Sequence, residues 1–496
     1  SDGAPCQTSA STPATHQLHC AELLVVVKSV SVADGPPVLY RSMFCLALGS
    51  LLGCENALLV IQPNRDAQVG TAHDAGMSGA HPDAAPLMPG DDAAPPADDA
   101  APAAMGDDAA LDPDAGMMSV ADAAQPVPDG GVPVVPCGFD MLQPADRERV
   151  VLVGEPFSAV PGVDGTTIRA MRLSTAGVLT PTDTRIDVGF RPARVEFVPS
   201  GQFALVLGEE GQLASIAVPS AGALTLVDTV VLPRAGYGDM QVLADGQTVI
   251  VAGSNVDISS GLSTVTLACD GQLTIDTAAF HNLRLTYSFD WIDPLQTRAV
   301  VLGGQAVFAP VDPIDTRIFE RMNGRWTQVA TFDLWSDAID PKRIAVSPDG
   351  RTMLAPNGSP FSTQGGTVMV VNITGNVLAS QRLIPDMDDA REALFSVDGA
   401  TALVSLLSAN SVAVLADRGM GFVEVSRIRG VGLAETLAAV ERGPLTGLVL
   451  VTSVDANGGP NIARLQIDGA GVVRDLGQIE LGMGSETIPG PLAIQR

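Results

Sequence analysis

Positive charge is scarce in this chain. Its 496 residues hold 28 Lys and Arg against 56 Asp and Glu, a formal net charge of -28. That balance excludes a nucleic-acid partner, because phosphate contacts need a basic surface. It also disfavours direct adsorption to an anionic bilayer. Histidine is nearly absent, and of five residues only His281 lies beyond residue 137. The six cysteines, Cys6, Cys20, Cys45, Cys54, Cys137 and Cys269, include no C-x-x-C pair of the kind that builds zinc or redox sites. No P-loop, Gly-x-Ser-x-Gly, His-Glu-x-x-His or dinucleotide fingerprint stands in a supporting context. Neither a metal nor a cofactor is expected. The apolar run Met43–Leu52 is too short for the roughly 30 Å hydrocarbon core of a bilayer.

That run has the length of a signal peptide core, with Arg41 as its positive flank. Residues 38–53 are therefore read as a signal peptide. Its last residues, Leu51-Leu52-Gly53-Cys54, resemble the lipobox of bacterial lipoproteins. The resemblance implies cleavage before Cys54, a diacylglycerol on its sulfur and export. Glu55, in place of Asp, implies sorting to the outer membrane. Residues 1–37 show no period and stay unassigned; initiation at Val38 or Met43 would leave them untranslated.

Residues 54–137 read as a lipidated cysteine followed by a disordered linker. Between 66 and 133 there are thirteen Asp but no Glu, Lys, Arg or aromatic residue, and Asp-Asp-Ala-Ala recurs at Asp91, Asp98 and Asp107. Such a stretch cannot bury enough surface to offset chain entropy, and its like charges extend it. It lacks the glycine and glutamate spacing of a calcium-binding EF-hand loop.

From Gly138 the texture is that of an all-β domain, with short apolar strands separated by Gly, Asp, Pro and Ser. A unit recurs. Its clearest copy runs from Arg343 through Ser347-Pro348-Asp349-Gly350 to Ala355: strand, tight turn, strand. Copies begin at Val195, Met240 and Ala393, with degenerate ones near Asp290 and Leu437. The spacing, about 44 to 54 residues, is that of four-stranded propeller blades. Arg149–Val153 reads as a second strand with no first, and Gly490–Arg496 as a first with no second. Pairing them closes a ring of seven blades and leaves no bare sheet edge. Six or eight blades remain compatible with the degenerate copies. The Ser-Pro-Asp-Gly repeat resembles the YVTN and lactonase-like seven-bladed propellers over residues 147–496, although no literal Tyr-Val-Thr-Asn occurs.

Aligning the turns puts one residue per unit ahead of the inner strand: Arg194, Asp239, Phe289, Arg343, Glu392 and Thr436, with Arg391 and Glu435 beside them. Such a ring at a channel mouth fits a zwitterionic or sugar-like ligand, its arginines acting as forks for a carboxylate or phosphate. Glu392 or Glu435 would serve as a general base if burial raised its pKa. The alternative is that the charges pair between adjacent blades and only fix the ring. Export permits a disulfide between Cys137 and Cys269, with two free thiols as the alternative. Trp291, Trp326 and Trp335 are expected to pack blades, and His281 to be structural.

Two functions follow. One is a monomeric, lipid-anchored binding module for a protein, peptide or glycan. The other, implied by the resemblance, is a lactonase-like hydrolase at the channel mouth. Whether the chain is an enzyme is left open, and pairing of the mouth charges decides between them.

Overall fold

The computed structural model describes residues 137–157, 164–219, 223–233, 238–253, 261–283, 286–303, 316–335, 343–358, 366–454, 459–481 and 490–496. Residues 38–53, read as a signal peptide, Cys54 and nearly all of the Asp-rich stretch read as a linker lie outside the described residues. The described part is all β, arranged as seven four-stranded antiparallel sheets. It is a seven-bladed β-propeller.

The innermost strands are Leu492–Ile494 in blade 1, Pro192–Phe197 in blade 2, Asp239–Val242 in blade 3 and Thr286–Trp291 in blade 4. Ala345–Val346, Ala390–Phe395 and Leu437–Ala439 follow in blades 5, 6 and 7. Second strands are buried on both faces, as in Leu448–Val454, while outer strands alternate in exposure, as in Leu179–Asp187. Seven apolar clusters result, one between each pair of neighbouring blades. The seventh joins Val151 and Val153 of blade 1 to Leu448 and Leu450 of blade 7, so the hydrophobic core is itself a closed ring.

Closure occurs where the strand pattern requires it. Val151, Leu152 and Val153 pair with Ile494, Ala493 and Leu492. Backbone bonds from Gly154 to Pro491 and from Gly490 to Gly154, at 2.8 and 2.9 Å, extend the ladder. Gln495 then reaches onward, its side-chain amide donating to the Gly201 carbonyl of blade 2 at 2.7 Å.

The repeated turn has a clear chemical basis. Ser347 Oγ donates to Asp349 Oδ1 at 2.6 Å and accepts from the Thr352 amide at 2.9 Å, while the Arg351 amide donates to Asp349. Ser396, Asp398 and Thr401 repeat the same bonds in blade 6. Gly350 takes φ +70°, and a Cβ there would lie 2.0 Å from the Ile292 carbonyl of blade 4, so the turn also sets blade spacing. The degenerate blade 4 copy puts an acid at the serine position: Asp293 accepts from the amides of Thr297 and Arg298, and Leu295 stands where the repeat has Asp. It replaces the glycine with Gln296 at φ 55°, which is why its pattern is faint in sequence.

Blade 4 also gathers the aromatics. Trp291 stacks on Trp326 at 5.7 Å, and Phe289 and Phe319 meet them edge-on. Cys137 and Cys269 form a disulfide with Cα atoms 5.0 Å apart, fastening the chain just ahead of the first blade to a hairpin of blade 3. His281 lies in the outer strand Leu273–Asn282 of that blade.

Candidate functional site

The inner strand of each blade ends its sheet. Its channel-facing N–H and C=O groups have no further strand to bond and need other partners. Side chains of the preceding blade supply them. Asp290 of blade 4 accepts from the Val346 amide of blade 5 at 2.7 Å, and Ser288 from the Ile344 amide at 3.2 Å. Glu392 of blade 6 accepts from the Leu437 amide of blade 7 at 2.8 Å. Gln241 of blade 3 donates to the Phe289 carbonyl of blade 4 at 3.0 Å. Thr452 of blade 7 does the same for Gly490 of blade 1 at 2.9 Å. Polar residues near the channel thus have a first task, which is to lace blade to blade.

Four of the charged residues picked from the repeat come together. Arg194 Nε lies 3.5 Å from Asp239 Oδ1, and Arg194 Nη1 3.5 Å from Glu392 Oε1. Arg343 Nε lies 3.7 Å from the same Asp239 oxygen, and its Nη1 bonds the same Glu392 oxygen. The four form a closed circuit of alternating charge. Its members come from blades 2, 3, 5 and 6, so the circuit bridges the channel instead of only joining neighbours. Three of the side chains are at least 90% buried, while Arg343 keeps 28% of its side chain exposed. Burial alone would lower the Arg343 pKa, but Glu392 and Asp239 outweigh it and hold the guanidinium above its ordinary range. Arg194 is shifted the other way, by burial first and then by Arg343.

The tetrad is further supported from its edges. Asp239 Oδ2 accepts from Ser288 Oγ at 2.8 Å. The Arg343 amide donates to the Arg391 carbonyl at 2.9 Å, stitching the starts of two adjacent inner strands.

The other two candidates stand apart. Arg391 pairs with Asp389 two residues away, Nε to Oδ1 2.9 Å, outside the circuit. Glu435 enters through its backbone, its carbonyl accepting from Ser405 Oγ at 2.7 Å. The expected blade 4 position is one residue off: Phe289 is wholly buried in the core, and Ser288 takes the channel-side place.

Alignment also missed the next layer. Glu196, two residues after Arg194, has 12% of its side chain exposed and faces Arg496 Nη2 at 3.6 Å. Its other oxygen, Oε2, is buried without a hydrogen-bond partner. Burial raises the pKa of Glu196, against the pull of Arg496, Arg194 and Arg343 and of the Val242 backbone amide. Asp290 is raised too, by burial, despite its bonds to Val346 and Gln241. The period-two alternation of the inner strand from Arg194 was the signal available for finding Glu196. Among the described residues, no group of three His, Cys, Asp or Glu side chains is placed to hold a metal ion.

No family model matches this chain, and neither does any curated protein sequence. Solved structures share its fold. A candidate 6-phosphogluconolactonase from Bacteroides uniformis superposes on 70% of this chain and 99% of its own, at 16% identity and a TM-score of 0.54. A periplasmic gluconolactonase from Pseudomonas aeruginosa covers 70% and 99%, at 17% identity and 0.52. A protein from Lactobacillus plantarum covers 70% and 100%, at 15% identity and 0.52. Likeness at these identities is likeness of fold.

Proposed function

We propose that the protein is a binding module of the cell envelope, tethered by a lipid on Cys54 and held off the outer membrane by its Asp-rich spacer. Its ring would take a protein, peptide or glycan ligand. The observation that carries this reading is the closed tetrad. Arg194, Asp239, Arg343 and Glu392 neutralise one another across the channel. Each of the four has an opposite charge within 3.7 Å, and Arg343 alone among them keeps appreciable exposure. The tether rests on Leu51–Cys54, Glu55 and the composition of residues 66–133. Replacing Cys54 with Ser is the matching control, and it should move the protein from the membrane to the soluble fraction.

A lactone hydrolase is the second reading, and Glu196 favours it. A buried carboxyl whose pKa is raised by burial has the character of a general acid or base. Solved propellers of this fold that are called gluconolactonases give the substrate class to try. The deciding experiment offers glucono-δ-lactone and its 6-phosphate to the wild type and to Glu196→Gln and Glu392→Gln. No turnover above spontaneous hydrolysis is expected. Turnover that either substitution abolishes, with an unchanged unfolding curve, would replace the module with the enzyme.

A further inference from the structure

Residues 138–148 run over the end of the ring that carries the Asp-Gly turns, away from the tetrad. Phe139, 1% exposed, sits edge-on to Phe203 at 5.4 Å, and its carbonyl accepts from the Ser200 amide at 2.8 Å. Further along, Ala145 lies on Gly443 of the blade 7 turn. Gly443 has φ +86°, and a Cβ there would come within 2.5 Å of the Ala145 carbonyl, so only glycine allows the contact. Arg149, 3% exposed, fixes the arrangement from below. Its guanidinium donates to the carbonyls of Gln495, Ala145 and Arg442 at 3.3, 3.4 and 2.8 Å.

These contacts gather two more guanidiniums, Arg147 and Arg442, into the same corner. Arg149 spends its donors on carbonyls; the other two do not. In both Arg147 and Arg442, Nε and Nη2 are withdrawn from solvent and have no hydrogen-bond partner. Those two nitrogens lie on one edge of the guanidinium, with parallel N–H bonds. That edge grips a carboxylate or phosphate through two bonds. Burial lowers the pKa of Arg147, and Arg442 lowers it further. Arg149 is lowered by burial, then by Arg442 and Arg147, with Glu441 opposing. The fold therefore assembles three like charges and leaves two bidentate edges without an acceptor. Both side chains are half-buried, and the edges turned away from water have no acceptor in the fold, which leaves room for an anion there.

We propose that Arg147 and Arg442, positioned by Arg149 and by the Ala145–Gly443 contact, bind the oxygens of a carboxylate or phosphate group. This site is separate from the channel and does not depend on the binding-module reading. The anion can be a free small molecule or an acidic side chain, and Asp122 and Asp129 of this chain are the nearest acidic residues ahead of Cys137.

Calorimetric titration of the full chain at low ionic strength, with inorganic phosphate and separately with succinate, tests the site. Saturable binding is expected with at least one of them. Arg147→Ala and Arg442→Ala should each weaken it about tenfold or more, the loss of one charge-assisted pair of bonds. Arg351→Ala, which removes an arginine 82% exposed on the same end of the ring, should leave it unchanged. Arg442→Lys keeps the charge and loses the fork, and should weaken binding too; it stands in if Arg442→Ala fails to fold. Tighter phosphate binding in Asp122→Asn/Asp129→Asn would support the site and make the chain's own carboxylates its occupant. The proposal is overturned by no saturable binding in either the wild type or that double variant. It is equally overturned by a loss in Arg351→Ala as large as in Arg442→Ala.

Discussion

Two clusters of arginine sit toward opposite ends of this ring, and their charge is balanced in opposite ways. At the start of the inner strands, Arg194 and Arg343 alternate with Asp239 and Glu392, so positive and negative charge cancel within one circuit. At the turn end, Arg147, Arg149 and Arg442 crowd together, with Glu441 opposing them at Arg149. Both clusters are held by strands far apart in sequence, and both withdraw guanidinium groups from water. The difference is the acceptor. One cluster carries its counter-charges in the fold, and the other satisfies Arg149 with carbonyls and leaves two forks empty. Buried charge is thus used as a fastener in the first place and kept in reserve in the second.

The largest expected effect comes from unbalancing the fastener. Glu392→Ala leaves two guanidiniums sharing Asp239 and also removes the acceptor for the Leu437 amide. Breaking one partner of a buried ionic network costs about 3–5 kcal/mol. Urea unfolding should show the loss, and a change within experimental error would mean the tetrad holds nothing.

A smaller effect is expected from the pH dependence of the layer behind it. Burial raises the pKa values of Asp290 and Glu196 in the folded protein. A carboxyl whose folded value exceeds its unfolded one favours the protonated state. Its stabilising contribution is complete below the unfolded value, about 4, and disappears as pH climbs through the raised folded value. Asp349 and Asp398, lowered mainly by their serine hydroxyls, act in the opposite sense and below the ordinary carboxylate range. Asp290→Asn keeps an acceptor for Val346 and removes one buried charge. Stability measured from pH 4 upward should therefore fall less steeply in the variant. Parallel curves for the two proteins would assign the slope to other groups.

The smallest effect separates the two clusters. Arg442→Gln removes a charge from the unbalanced corner while its backbone carbonyl still accepts from Arg149. Its unfolding free energy should change by no more than about 0.5 kcal/mol, since Arg442 is half-exposed. A loss comparable to that of Glu392→Ala would erase the contrast.

Much of the frame was legible from local chemistry. Ser-Pro-Asp-Gly encodes its own hydrogen bonds within a few residues, so blade spacing follows from counting turns. The unmatched strands at 149–153 and 490–496 gave both the count and the closure. Phe289 was misplaced by one residue because Gln296 occupies the left-handed position where the other turns have glycine. The pairing within the tetrad was out of reach for a different reason. Spacing along the chain puts Arg194 and Glu392 at equivalent blade positions, but the distance across a channel depends on how the whole ring closes. Arg147 and Arg442 were invisible on the same ground, since the contact joining them spans 293 residues between Arg149 and Arg442.

Closure has one more consequence, and it concerns time. The bond from the Val150 amide to the Gln495 side chain spans 345 residues. Each intermediate blade can form from its own hairpins, but blade 1 lacks its inner strand until residues 490–496 have been made. Local contacts form early and distant ones late. A chain that folds before residues 490–496 are made would therefore present an open arc, with the Arg149–Phe157 edge bare to its surroundings. Pairing with Leu492–Ile494 turns that edge into an interior strand, so closing the ring also removes its one unpaired inner edge.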